Sequence, residues 1–240
     1  MPLTLAEADL DKDFDELMLC NWQSFENPSQ NFFRLFAPIH GTGPTAREDV
    51  QRDFTQRQLA FHKMDPRGTW FKAVNDDGKI VGGALWKIFP TNPFEQPPPG
   101  NFQAFWYPEG GQRDFVTAAL HRINAFRSKA ATRPHVFLNI IYTHPDHRRQ
   151  GVGRLMIEWG IKKADELGIE TWVNSTGPGV PLYQEYGFVV VNETTLCPET
   201  ENPNEEWKEM AERFSPMDQW VMWRPVGGKY EEGKTVRPWE

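Results

Sequence analysis

The sequence predicts a single α/β domain built on a mixed central β-sheet of six to seven strands, flanked by helices and interrupted by one insertion rich in proline and aromatic residues. Three observations predict it. Strand-like apolar runs alternate with segments of helical spacing along nearly all 240 residues. Apolar residues make up 39% of the chain, enough for a substantial core. No internal repeat or low-complexity tract divides it, and the length fits one large domain or two small ones.

Each element follows from local chemistry. Residues 3–8, LTLAEA, read as a first strand. Asp11 is a candidate N-cap for a helix in which Phe14, Leu17, Met18, Trp22 and Phe25 fall near helical spacing. Thr45 starts a second helix, with Glu48 three residues on completing a capping box and Pro66 just past the end. Residues 69–89 form two apolar runs around Asp77-Gly78, a hairpin signal. Residues 90–112 change character: prolines and glycines surround Phe94, Phe102, Phe105, Trp106 and Tyr107. They read either as a long surface loop or as a lid over a substrate pocket. Helical spacing returns at 113–131. HVFLNIIYT, residues 135–143, is apolar enough to be a strand buried on both faces. A helix then runs to Gly168 as its C-terminal glycine. A strand at 169–175, a short helix at 179–187 and a strand at 188–196 follow. One helix is expected around 205–214 and a last strand around 218–226. The domain is read as residues 1–226, and 227–240 as a tail.

Composition narrows the function. The net charge is −7, from 26 basic and 33 acidic residues, which argues against nucleic acid as the main partner. The N-terminus is acidic and has no signal-peptide pattern, and no apolar run approaches a membrane span. Cys20 and Cys197 have no metal-ligand spacing, and no metal site is expected. These features predict a cytoplasmic protein with no membrane partner. A homodimer is compatible with all of them.

The chemistry concentrates in NIIYTHPDHRRQGVGRLMIEWG, residues 139–160. A strand passes through a His-Pro turn into two arginines, a glutamine and two glycines, and an amphipathic helix starts at once. Its apolar stripe is Val152, Leu155, Met156, Trp159, Ala164 and Leu167. The first turn of a helix carries N–H groups without intrahelical partners and the positive end of the dipole. Glycines at 151 and 153 leave room for a phosphate to approach them, and Arg148, Arg149 and Arg154 add cationic donors. No Gly-Lys-Ser/Thr follows, so this is not a Walker loop, and Met156 stands where a dinucleotide fingerprint has its third glycine. A turn that only caps the helix is the remaining alternative.

Arg148-x-x-Gly151-x-Gly153 resembles the pyrophosphate-binding motif of the GNAT superfamily of acyl-CoA N-acyltransferases. Downstream, GVPLYQEYGF resembles that family's later helix-to-strand signature, at the usual separation of about thirty residues. The resemblance is specific over residues 136–190 and topological over residues 3 to about 225. The insertion at 90–112 departs from the compact family pattern. The resemblance implies acetyl-CoA as cosubstrate. Backbone groups of Ile141, Tyr142 and Thr143 would meet the pantetheine arm, and Arg148, Arg149, Gln150, Gly151, Val152, Gly153 and Arg154 would hold the pyrophosphate. Asn174, at the end of the next strand, would reach the arm from the other side. Tyr183 would protonate the departing thiolate, as in arylalkylamine N-acetyltransferases with their similar FYQRFGF stretch, while Tyr186 reads as core.

The two cysteines lie outside these motifs, so direct attack by an amine is expected rather than a covalent enzyme intermediate. No base is assigned. The strand's interior polar residue, Asn139, takes no proton at neutral pH; His135 reads as a solvated surface residue and His144 as a turn cap. The leading expectation is an N-acetyltransferase acting on a primary amine of a small molecule. A protein lysine or α-amine acetyltransferase and a non-catalytic acyl-CoA-binding sensor are the alternatives.

Overall fold

The computed structural model describes residues 2–96 and 102–240; residues 97–101 of the insertion lie outside the described residues. In chain order the elements are β1 (Thr4–Glu7), α1 (Phe14–Glu26), α2 (Asn31–Arg34), α3 (Ala46–Met64), β2 (Gly68–Val74), β3 (Ile80–Phe89), α4 (Gly111–Ala130), β4 (His135–Thr143), α5 (Val152–Leu167), β5 (Glu170–Ser175), α6 (Val180–Glu185), β6 (Val189–Leu196), α7 (Glu205–Phe214) and β7 (Met217–Arg224). Seven strands with intervening helices are the α/β class that the sequence predicts. No helix among the described residues is long and apolar enough to cross a membrane.

The chain divides into two compact units, residues 1–88 with 136–167 and residues 89–135 with 168–240. In the first, strands lie in the order β1-β2-β3-β4. The β1–β2 and β2–β3 pairs are antiparallel, and Gly78 turns the predicted hairpin at φ +80°. The helix expected from Asp11 begins instead at Phe14, with Asp13 at the N-cap position; the Asp13 carboxylate makes no capping bond and accepts instead from the backbone N–H of Asp9 at 2.7 Å. Thr45 does cap α3, but no side-chain capping bond forms: its hydroxyl donates to Asp49 at 2.9 Å. Phe14, Leu17, Met18 and Trp22 of α1, Phe54 of α3, Trp70 of β2 and Tyr142 of β4 make one buried cluster. Edge-to-face pairs such as Phe14–Trp70 at 5.9 Å give it definite geometry.

Gly82 of β3 lies where the first turn of α5 meets this layer. A Cβ there would sit 2.6 Å from Val152 Cγ1 and 2.9 Å from the Tyr142 carbonyl oxygen. Only glycine admits that approach, so β3 sets how closely the start of α5 can pack. The expected stripe of α5 is buried at Val152, Met156 and Ala164, whereas Leu155 and Trp159 are half-buried and Leu167 is exposed.

In the second unit β7 pairs antiparallel with both β5 and β6. Helix α4 packs with α7 through Phe115, Trp207 and Phe214. The described end of the insertion lies along α4: Ala104 N–H donates to Thr117 at 3.0 Å, Arg113 donates to the Tyr107 carbonyl, and the Phe102 ring makes tilted contacts with Trp106 and His121. Phe102 and Phe105 stay exposed. Residues 227–240 are docked: Trp239 contacts Phe126, Trp172 and Trp223, and Arg133 donates to the carbonyls of Val236 and Arg237.

Candidate active site

In the first unit, β4 is not buried along its whole length as its composition predicts. Val136, Phe137 and Leu138 are buried, but Asn139 is exposed, and Ile140, Ile141 and Thr143 are only half-buried. Tyr142 returns to the core, where its hydroxyl donates to the Leu17 carbonyl at 3.0 Å; burial raises its pKa well above the usual phenol value. Ile140 packs against the core cluster, while Asn139, Ile141 and Thr143 on the other face are left exposed or half-buried.

The turn after β4 is tightly organised. His144 N–H donates to the Val81 carbonyl at 2.9 Å, anchoring the strand's end to β3. The His144 ring caps the turn as expected, Nδ1 accepting from Asp146 N–H at 3.3 Å, and its pKa is lowered, first by burial. Gln150 donates to the Asp146 carbonyl at 3.0 Å and braces the loop. Arg148 Nη2 donates to the Ser24 carbonyl at 2.7 Å, tying the turn to the end of α1. Arg149 sits at φ +61°, a left-handed conformation that costs a non-glycine residue roughly 1 kcal/mol or more. Gly151 follows at φ +90°, and a Cβ built on it meets nothing within 4 Å. Its carbonyl accepts the first helical bond, from Leu155 at 3.0 Å. The N–H groups of Val152 and Gly153 thus open the helix beside unfilled space, with the exposed Arg149 and Arg154 around it. That is a fit for a phosphate group.

A pocket of about 540 Å³ adjoins the turn in the same unit, lined by Gln23, Glu26, Arg34, Arg47, His144 and Asp146 among others. Glu26 accepts from Trp22 Nε1 at 2.7 Å and pairs with both Arg34 and Arg47. The Arg34 guanidinium lies over Trp22 and Phe33. Sequence reasoning missed this network, since salt-bridge partners separated along the chain leave no local pattern. The Cys20 thiol is buried and its pKa is pushed up to about 11, mainly by desolvation, so it carries no thiolate near neutrality.

In the second unit, Asn174 donates from Nδ2 to the Ile123 carbonyl at 3.2 Å, and its buried Oδ1 has no hydrogen-bond partner among the described residues. An unpartnered buried acceptor fits the amide N–H of a pantetheine arm. Tyr183 lies on α6, its ring buried against Phe188 at 5.6 Å and close under Gly179. Burial raises its pKa, so the phenol keeps its proton. Tyr186, expected in the core, is half-buried. His135 is not the surface residue expected: it is fully buried, its ring tilted against Phe89 at 5.0 Å, with Nδ1 2.7 Å from the Arg133 carbonyl. Desolvation lowers its pKa to about 4.

Comparison with known proteins bears on this geometry. The sequence profile of the Acetyltransferase (GNAT) family matches residues 29–188, which contain the glycine turn and the whole of α6. An acetyltransferase of Stachybotrys chartarum is 25% identical over 205 residues, covering 80% of this chain and 83% of that protein. Among solved structures, arylalkylamine N-acetyltransferase 2 from Aedes aegypti aligns with a TM-score of 0.60 at 15% identity, over 94% of this chain and all of that one. A Corynebacterium glutamicum protein described as histone acetyltransferase HPA2 and related acetyltransferase aligns at 0.56 and 19% identity, over 97% and 99%. A left-handed arginine–glycine turn that opens a helix, within a stretch matched by the family profile, identifies the chain as a member of the GNAT family, an acyl-CoA-dependent N-acetyltransferase with acetyl-CoA as its cosubstrate.

Proposed function

We propose that the acceptor is a primary amine on a small molecule, and that it attacks the acetyl thioester directly. The observation that carries this reading is the second half of β4, where Asn139, Ile140, Ile141 and Thr143 are left exposed or half-buried; the likeness in fold to arylalkylamine N-acetyltransferase 2 from Aedes aegypti supports a small amine as the acceptor. Direct attack follows from the cysteines: the buried Cys20 thiol stays protonated, and Cys197 lies exposed after β6, outside the motifs. Acetyl-CoA, when bound, supplies the activated acetyl group. In the first unit, residues 148–154 would hold its pyrophosphate and the backbone of 141–143 the arm; by their motif positions alone, Asn174 is assigned to the arm and Tyr183 to protonation of the leaving sulfur. The C–N bond forms as the C–S bond breaks, and the surplus amine proton goes to solvent. Two free cysteines suit a reducing, cytosolic setting.

The Aedes relative in fold acts on arylalkylamines by its name, and the Corynebacterium one on histones. Free-thiol release from acetyl-CoA, measured against a panel of arylalkylamines, amino acids, amino sugars and lysine-bearing peptides, separates the readings. A small amine as the best acceptor is expected. Peptides outperforming every small amine would replace this reading with protein acetylation.

A further inference from the structure

Asn139 has no structural reason to be where it is. β-Strands favour branched and aromatic residues, and asparagine is depleted in them. Asn139 nevertheless interrupts the apolar run of β4 in mid-strand, its side chain is exposed, and its carboxamide makes no hydrogen bond among the described residues. Leu138, Ile140 and Tyr142 alternate onto one face, where Tyr142 is core and Ile140 packs against it. Asn139 shares the opposite face with Ile141 and Thr143. A residue that breaks a local rule with no compensating contact marks function.

Direction along the strand says which function. The phosphate-holding turn follows the C-terminal end of β4, so an arm running back along residues 143 to 141 has its thioester towards the strand's start. Asn139 is the next residue on that face, about 7 Å beyond Ile141 at the usual strand rise. We infer that Asn139 is a catalytic residue of the acceptor site: its carboxamide Oδ1 accepts an N–H of the attacking amine and aims the nitrogen lone pair at the thioester carbon. This rests on the reading above, in which the amine attacks directly. The carboxamide takes no proton.

The test uses the full chain with 2-phenylethylamine and a lysine-bearing hexapeptide as acceptors. Asn139→Ala is expected to lower kcat/KM for the acceptor about three- to tenfold, the worth of one neutral hydrogen bond. The KM for acetyl-CoA and the melting temperature should not change, because the side chain is exposed and unbonded. Asn139→Asp keeps an acceptor oxygen at the same reach, so it should recover activity relative to alanine and add an ionisation to the pH–rate profile. An alanine variant with full acceptor kcat/KM, a loss shared equally by both substrates, or an aspartate variant no better than alanine overturns the assignment while leaving the parent reading intact. Wild-type protein that neither gains thermal stability from acetyl-CoA nor acetylates either acceptor overturns both together.

Discussion

Tyr183 and His135 show how burial sets protonation, and each makes a prediction. Desolvation keeps the Tyr183 phenol protonated, the form required of an acid. General acid help is typically worth about 10²- to 10⁴-fold. Tyr183→Phe keeps the ring against Phe188, so acetyl-CoA affinity should survive while the single-turnover rate falls by roughly that factor. An unchanged single-turnover rate removes the acid role. His135 is buried neutral, with a pKa of about 4 against 6.5 unfolded. Between those values the unfolded state binds the extra proton, so stability is fully present above about pH 6.5 and declines as pH falls towards 4. The loss amounts to about 3 kcal/mol at about 1.4 kcal/mol per unit. Urea midpoints across that range should drop in the wild type and flatten in His135→Leu, even if that variant is less stable throughout. This burial was not legible in the sequence, where a histidine beside Arg133 and Pro134 reads as surface, because its partner Phe89 is distant along the chain.

At the scale of elements, the strand–turn–helix from β4 to α5 was legible because each part is local: an apolar run, a His-Pro turn, glycines and a period of 3.6. The close seating of α5 was not, since it depends on Gly82 in another strand. Gly82→Ala places a methyl 2.6 Å from Val152 Cγ1 and 2.9 Å from a carbonyl oxygen in β4. Overpacking of that kind costs roughly 1–3 kcal/mol. Because it pushes on the first turn of α5, acetyl-CoA affinity should fall together with the melting temperature. A Gly82→Ala protein that loses stability but binds acetyl-CoA normally would separate the seating of α5 from the site. The same contrast explains β4: composition alone marks it as a buried strand, and only the surrounding packing leaves its second half open.

For the whole molecule, the order and type of the strands and longer helices were readable, from the hairpin at Gly78 to the last strand; the one-turn α2 at Asn31–Arg34 was not. Readable also were the turn that opens α5 and the place of Tyr183 on a short helix. What could not be read are features built by distant residues: the Glu26–Arg34–Arg47 network, the docking of Trp239 among Phe126, Trp172 and Trp223, and the unpartnered Oδ1 of Asn174. The claim on which the rest depends is that the turn at residues 148–154 holds the pyrophosphate of acetyl-CoA. Gly151 is the residue that isolates it, because a valine there has open space around its Cβ but a φ of +90° that branched side chains do not adopt without strain. Titration calorimetry of acetyl-CoA into wild-type and Gly151→Val protein, each checked for folding by its melting curve, tests the claim most directly. Saturable binding by the wild type and its loss in a folded Gly151→Val protein is the predicted result; equally tight binding by both would contradict it.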